Sequence, residues 1–87
     1  MTAIERLRQL CEDEDIHVLT ADGFEDALVG VAQVFTTFIA IYDRAKCLAI
    51  LQQRDGMAEE EAEEFFAFNT QGAYVGEQTP GFLVWRA

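Results

Sequence analysis

Positive charge is scarce in this chain: six lysines and arginines stand against sixteen aspartates and glutamates, for a formal net charge of −10. That shortage argues against a nucleic-acid backbone as a direct ligand, because phosphates are gripped by clustered Lys and Arg. An anionic membrane surface is disfavoured for the same reason. Cysteine is also sparse. Cys11 and Cys47 are too few to staple a mini-protein, and each sits among apolar neighbours at helical spacing, as a small core residue would. A single disulfide between them stays open. No uncharged run is long enough to cross a bilayer: the longest, Ala27–Tyr42, is short and interrupted by Gln33, Thr36 and Thr37. Met1–Leu10 carries Glu5, Arg6 and Arg8 where a secretory signal would need its apolar region. Together these absences predict a protein of the reducing cytoplasm with two free thiols and no membrane contact.

Against these gaps, 51% of the 87 residues are hydrophobic, enough to build the core of one domain spanning residues 1–87. Thr2 with Glu5 forms a capping box, and Ala3, Ile4, Leu7, Leu10 and Cys11 recur at helical spacing behind it. The helix ends at the acidic run Glu12–Asp15, where the macrodipole disfavours anions. Ile16–Thr20 alternates polar and apolar through His17 and reads as a short strand. Ala21-Asp22-Gly23 is turn chemistry. Phe24–Val34 fits two patterns: Ala27, Leu28, Val31 and Val34 match period 3.6, whereas Gly30 and the valines favour a strand, preferred here over Leu28–Gln33.

Phe38–Tyr42 is a continuous apolar run suited to a sheet centre. Asp43 then reads as the N-cap of a helix over Arg44–Arg54, with Cys47, Leu48 and Leu51 on one side and Arg54 pointing outward. Gly56 supplies the left-handed residue that ends it. A second helix follows from Met57, with Glu59, Glu60 and Glu61 in its first turn, Ala58 at its cap position, and Ala62, Phe65, Phe66 and Asn69 sharing a face. Gln71–Thr79 is a loop, Pro80-Gly81 a turn, and Phe82–Trp85 a final strand. The order α-β-β-β-α-α-loop-β predicts an α+β fold: a small, mostly antiparallel sheet with an N-terminal helix and a helical hairpin packed on one face.

The residues Tyr42-Asp43, Lys46-Cys47, Ile50-Leu51, Asp55-Gly56-Met57, Glu60-Glu61-Ala62, Phe65, Phe66 and Phe68-Asn69 lead into Gly72-Ala73-Tyr74-Val75-Gly76-Glu77 and Thr79-Pro80. From Tyr42 to Phe82 this pattern resembles a family of small proteins encoded by bacteriophages and prophages, marked by Gly-Ala-Tyr-Val-Gly-Glu-x-Thr-Pro. Asp22-Gly23-Phe24 looks like the family's upstream element, whereas Val34–Phe38 does not align. The resemblance implies an accessory protein of phage type and brings no activity, cofactor or catalytic residue with it. The chain departs from the pattern at Ala58, where the family has Ser or Thr, and at Gly81, where the family has a larger residue.

The residues themselves offer little catalytic chemistry. His17 would need Cys11 or Cys47 beside it to form a dyad, and their spacing gives no support. Glu59–Glu64 lacks the glycine turn and alternating oxygens of a calcium loop, and there is no Cys-x-x-Cys. Gly72, Gly76 and Gly81 are not followed by Gly-Lys-Ser/Thr, so they form no phosphate cradle. No catalytic, cofactor-binding or metal residue is assigned, and a non-enzymatic protein is expected.

What stands out is charge layout. Thirteen of the sixteen acids fall in two windows, Glu12–Asp26 and Asp55–Glu64. Glu59, Glu60, Glu63, Glu64 and Glu77, with the aromatics Phe68 and Tyr74, are the candidate contact residues. Phe65, Phe66 and Phe68 cannot share one helix face, so Phe68 is expected at the surface. Tyr74 is expected to lay its ring across the core, with the Gly72–Pro80 loop serving either as scaffold or as contact surface. The expected function is binding and modulating a host protein, one with a basic surface fitting the acids. A mimic of DNA seated in a basic nucleic-acid site, a homodimer or larger assembly, and a small enzyme built on Cys47 or His17 are the alternatives.

Overall fold

A computed structural model of the protein describes residues 1–68 and 75–87. Helix α1 (Ala3–Glu14) starts at the anticipated capping box, in which Thr2 Oγ1 accepts from the Glu5 N–H. It stops at Asp15, which adopts the left-handed conformation with φ 51°. A single 3-10 turn, Glu25–Ala27, precedes strand β1 (Leu28–Val34), and a two-residue turn leads into β2 (Thr37–Asp43). Helix α2 (Arg44–Asp55) is capped by Asp43, whose carboxylate accepts from the Lys46 N–H at 3.2 Å, and ends on left-handed Gly56. Helix α3 (Glu59–Phe66) and the short strand β3 (Gly81–Leu83) complete the order.

The sheet runs β1-β2-β3, with β1 antiparallel and β3 parallel to the central strand. The small α+β architecture with a mostly antiparallel sheet is therefore as expected. Alternation along β2 turns Ala40 and Tyr42 to one face, where Leu7 of α1, Cys47, Leu48 and Leu51 of α2, and Ala62 and Phe66 of α3 close over them in a single core. Four aromatic rings link its layers. Phe66 meets Phe24 edge-on at 6.4 Å and Phe82 at 4.9 Å, and Phe82 lies 6.2 Å from Tyr42. Ile39 and Ile41 point to the opposite face. At Gly81, where the resembled family carries a larger residue, a Cβ would stand 3.0 Å from the Ile41 Cδ1 at the end of its side chain, a contact the isoleucine would have to yield to.

Two expectations need correction. Ile16–Thr20 is not a strand and joins no ladder. It is held by isolated bonds instead: Gln78 Nε2 donates to the His17 carbonyl, and the next residue, Ala21, donates its N–H to the Tyr42 hydroxyl at 2.8 Å. Val18 and Ala21 still pack on the core, so alternation recorded burial without pairing. The final strand lies at Gly81–Leu83 rather than Phe82–Trp85. It pairs only with Ile41–Asp43, and beyond Asp43 the partner strand becomes α2, so Val84 and Trp85 have nothing to pair with and are exposed. Arg86 ties the tail back through a 3.0 Å bond to Asp43.

Arg54, expected to point outward, remains exposed but bridges elements. It donates to the Gly23 carbonyl at 2.8 Å and lies 5.6 Å from the Phe24 ring centre. Gly23 is required there: its φ is 90°, and a Cβ would meet Arg54 Nη1 at 3.0 Å. Phe35, at the hairpin tip, has φ 55° and is 93% exposed. A bulky residue in that left-handed region costs about 1–2 kcal/mol.

Two substitutions test this reading. Tyr42→Phe leaves the Ala21 N–H without its acceptor and is expected to cost about 1–2 kcal/mol in urea unfolding. Ala58 has extended backbone and makes no side-chain cap bond, so Ala58→Ser is expected to stabilise by roughly 1 kcal/mol.

Candidate interaction surfaces

The acids of the second window are organised by α3. Helical spacing places Glu59 beside Glu63 and Glu60 beside Glu64, and all four, with Glu61, are exposed while Ala62 and Phe66 face the core. Among the described residues the ion pairs are Arg54–Asp55 and Arg86–Asp43, so no cation neutralises α3. Each like-charge pair costs about 0.2–0.5 kcal/mol, offset in part at Glu59–Glu61 by the helix dipole.

The two acidic windows meet at Arg54. One edge of its guanidinium holds the Gly23 carbonyl, in the turn carrying Asp22, Glu25 and Asp26; its Nε holds Asp55 Oδ1 at 3.1 Å. This bond keeps the Asp55 carboxyl below its ordinary pKa of 3.8. The Glu25 carboxyl is also lowered, first by its own backbone N–H and then by that of Gly23 at 3.2 Å. These carboxylates are held ionised at neutral pH, and Arg54 joins the two acidic stretches through contacts absent from the linear sequence.

The other candidates lie elsewhere. Phe68 is 84% exposed just beyond α3, as expected from its spacing. Glu77 lines a cleft of about 510 Å³ with Asp15, His17 and Thr37, and no α3 residue borders it. Tyr74, expected to bury its ring, and Gly72 lie outside the described residues. In the described part of the loop, Thr79 Oγ1 accepts from the Val75 N–H at 2.8 Å and donates to the Gly76 carbonyl at 2.7 Å. These bonds tie the described motif residues to one another.

Cys47 is fully buried and Cys11 half-buried, and both are free thiols. Burial, and secondarily Asp43, pushes the Cys47 thiol up to about 11. A thiol so placed is protonated at neutral pH and shielded from solvent, the reverse of an activated nucleophile. His17 is exposed. Among the described residues, no three His, Cys, Asp or Glu side chains are grouped to hold a metal ion, and no helix is long and apolar enough to cross a membrane. Compared with known proteins, the chain matches no family model, no curated protein and no solved structure.

Sequence reasoning missed the hairpin tip and a groove between α1 and β1. Phe35 lacks the glycine or asparagine that usually flags such a turn. The groove depends on α1 packing beside a distant strand, which periodicity alone does not specify.

Burial also sets the alkaline behaviour. Desolvation, opposed by the Ala21 N–H, raises the Tyr42 phenol above its ordinary value of 10.0. For Tyr42 and Cys47 alike, the folded state retains a proton that the unfolded chain releases. Their stabilisation is thus present below the unfolded pKa values and is lost as pH rises toward and through the folded ones. Urea unfolding is expected to show constant stability near neutrality and a loss of roughly 1–3 kcal/mol as pH climbs from about 9 to about 11. A disulfide-exchange reagent near neutral pH is expected to modify Cys11 rapidly and Cys47 only at the rate of opening.

Proposed function

We propose that the chain is a non-catalytic accessory protein that binds and modulates a host protein carrying a basic surface. The observation behind this reading is the run of five exposed glutamates on α3 with no intramolecular cation, continued through Arg54 toward Asp22, Glu25 and Asp26. An ordinary solvated helix face mixes both signs of charge. Uncompensated carboxylates on a rigid helix form a field that attracts a cationic partner and speeds its encounter. Phe68 beside this face adds a desolvatable anchor of the kind that dominates interface energetics. The resemblance to small phage proteins is in keeping with a non-catalytic accessory role. The sharper version, in which the carboxylates stand in for DNA phosphates, rests on the same observation and differs in its competitor.

A tagged pull-down from host cells identifies the partner, and the variant Glu60→Lys/Glu64→Lys tests the surface. The double variant is expected to unfold within about 0.5 kcal/mol of wild type, since it removes like-charge contacts. It is expected to bind the captured partner at least about tenfold more weakly, with a shallower salt dependence. Normal binding across a salt series would reduce α3 to a solubility device. Displacement by duplex DNA separates the mimic from a binder at any other basic surface.

A further inference from the structure

Strand β1 is an edge of the sheet: among the described residues nothing pairs with its outer side. Natural edges are guarded by charge or proline, and Leu28–Thr37 contains neither, in a chain of net charge −10. A bulge at Val29 leaves Gly30–Val34 as regular strand. Because Val34 and Thr37 close a two-residue hairpin, Val34, Ala32 and Gly30 direct their backbone groups to β2, and Val31 and Gln33 direct theirs outward. Beside this edge lies a groove of about 460 Å³, walled by Leu7 and Leu10 of α1 and by Val29 and Val31 of β1, with Arg6 and Asp13 along it.

We propose that this edge pairs with the same edge of a second copy about a two-fold axis, giving a continuous six-stranded sheet. Charge identifies the occupant. Arg6, Gln9 and Asp13 fall at i, i+3 and i+7, one stripe along α1, and Gln9 donates to Asp13 Oδ1 at 3.1 Å. Antiparallel β1 strands bring the two α1 helices antiparallel on the same side of the sheet, so Arg6 of one copy faces the partner's Asp13, and the reverse. The stripe is self-complementary, and Arg6 has no ion pair among the described residues. The acids of α3 lie beyond this seam and are screened over about 8 Å at physiological salt.

Register follows from the outward groups. An axis beside Ala32 sets Val31 against the partner's Gln33, whose free backbone groups match, and Gly30 against the partner's Val34. Gly30 has open space where a Cβ would be, and Val34 is 48% exposed. The same register sets Phe35 against the partner's Val29 at the mouth of its groove, which gives the strained, exposed ring a place to bury. This pairing is independent of the acidic α3 surface proposed above, and it would present that surface twice.

The experiment is a concentration series, micromolar to millimolar, in sedimentation velocity and light scattering. Wild type is expected to move from 9.8 kDa toward twice that mass. Phe35→Gly suits the turn, so it is expected to melt no lower than wild type while raising the dimer dissociation constant at least about tenfold. Arg6→Glu and Asp13→Lys are each expected to weaken the dimer about tenfold, since the axis repeats each contact, and together to restore it. A mass fixed at 9.8 kDa, an association indifferent to these substitutions, or growth beyond two copies would each overturn the pairing.

Discussion

The Tyr42 side chain is fully buried near the C-terminal end of β2, the central strand of the sheet, and the rest of the fold is arranged around it. Its backbone is laddered on both sides, to Leu28 and to Phe82. Its ring touches Phe82 and through it the Phe66–Phe24 pair, so one residue links the sheet to α3 and to the turn before β1. A buried phenol needs a partner for its hydroxyl, and the Ala21 N–H supplies it. That bond fixes where the irregular segment after α1 must run. Arg54 then locks the following turn against α2 from outside. With so few long-range anchors in a small domain, each carries a large share of a marginal stability.

Charge and burial are separated with unusual strictness. Among the described residues, the core contains no buried polar or charged residue other than the satisfied tyrosine hydroxyl, and no buried side-chain polar atom lacks a partner. Fifteen of the sixteen acids are exposed, where water and salt screen their mutual repulsion, and the partly buried Asp43 is paired with Arg86. The uncharged hairpin Leu28–Tyr42 is the counterpart of that separation. It supplies the sheet centre, where charge could not be accommodated, and leaves at its tip and outer edge apolar groups that the monomer does not cover.

Much of this was legible in the chain because local chemistry decided it. Thr2 and Glu5, Asp43, and Gly56 mark helix ends through bonds or φ angles that involve only their neighbours, and all appear where expected. Gly30 and the valines favoured a strand over a helix, and β1 is a strand. The exposure of Glu59, Glu60, Glu61, Glu63, Glu64 and Phe68 also followed from spacing, but Phe65, expected to share the face of Ala62 and Phe66, is 39% exposed because the buried face of this short helix is only as wide as Ala62 and Phe66. The turn expected at Pro80-Gly81 lies instead at Gly76–Thr79, closed by the Thr79 N–H donating to the Gly76 carbonyl, because Gly81 is already engaged as the first residue of β3.

What the sequence determined by itself was the fold class, the helix boundaries and which residues carry uncompensated charge, because these depend on propensity, periodicity and composition. Tertiary structure decided the rest. Ile16–Thr20 alternates like a strand, yet a strand exists only when another backbone completes its hydrogen bonds, and here the Gln78 side chain reaches His17 while Tyr42 takes the N–H of Ala21 just beyond. The last strand stops at Leu83 because its partner turns into a helix at Asp43, a fact about β2 rather than about Val84 or Trp85. Arg54 joins two acidic stretches thirty residues apart, and α1 and β1 enclose a groove, only because packing brought them together. Pairing and proximity are properties of two segments at once, and no reading of one segment contains them.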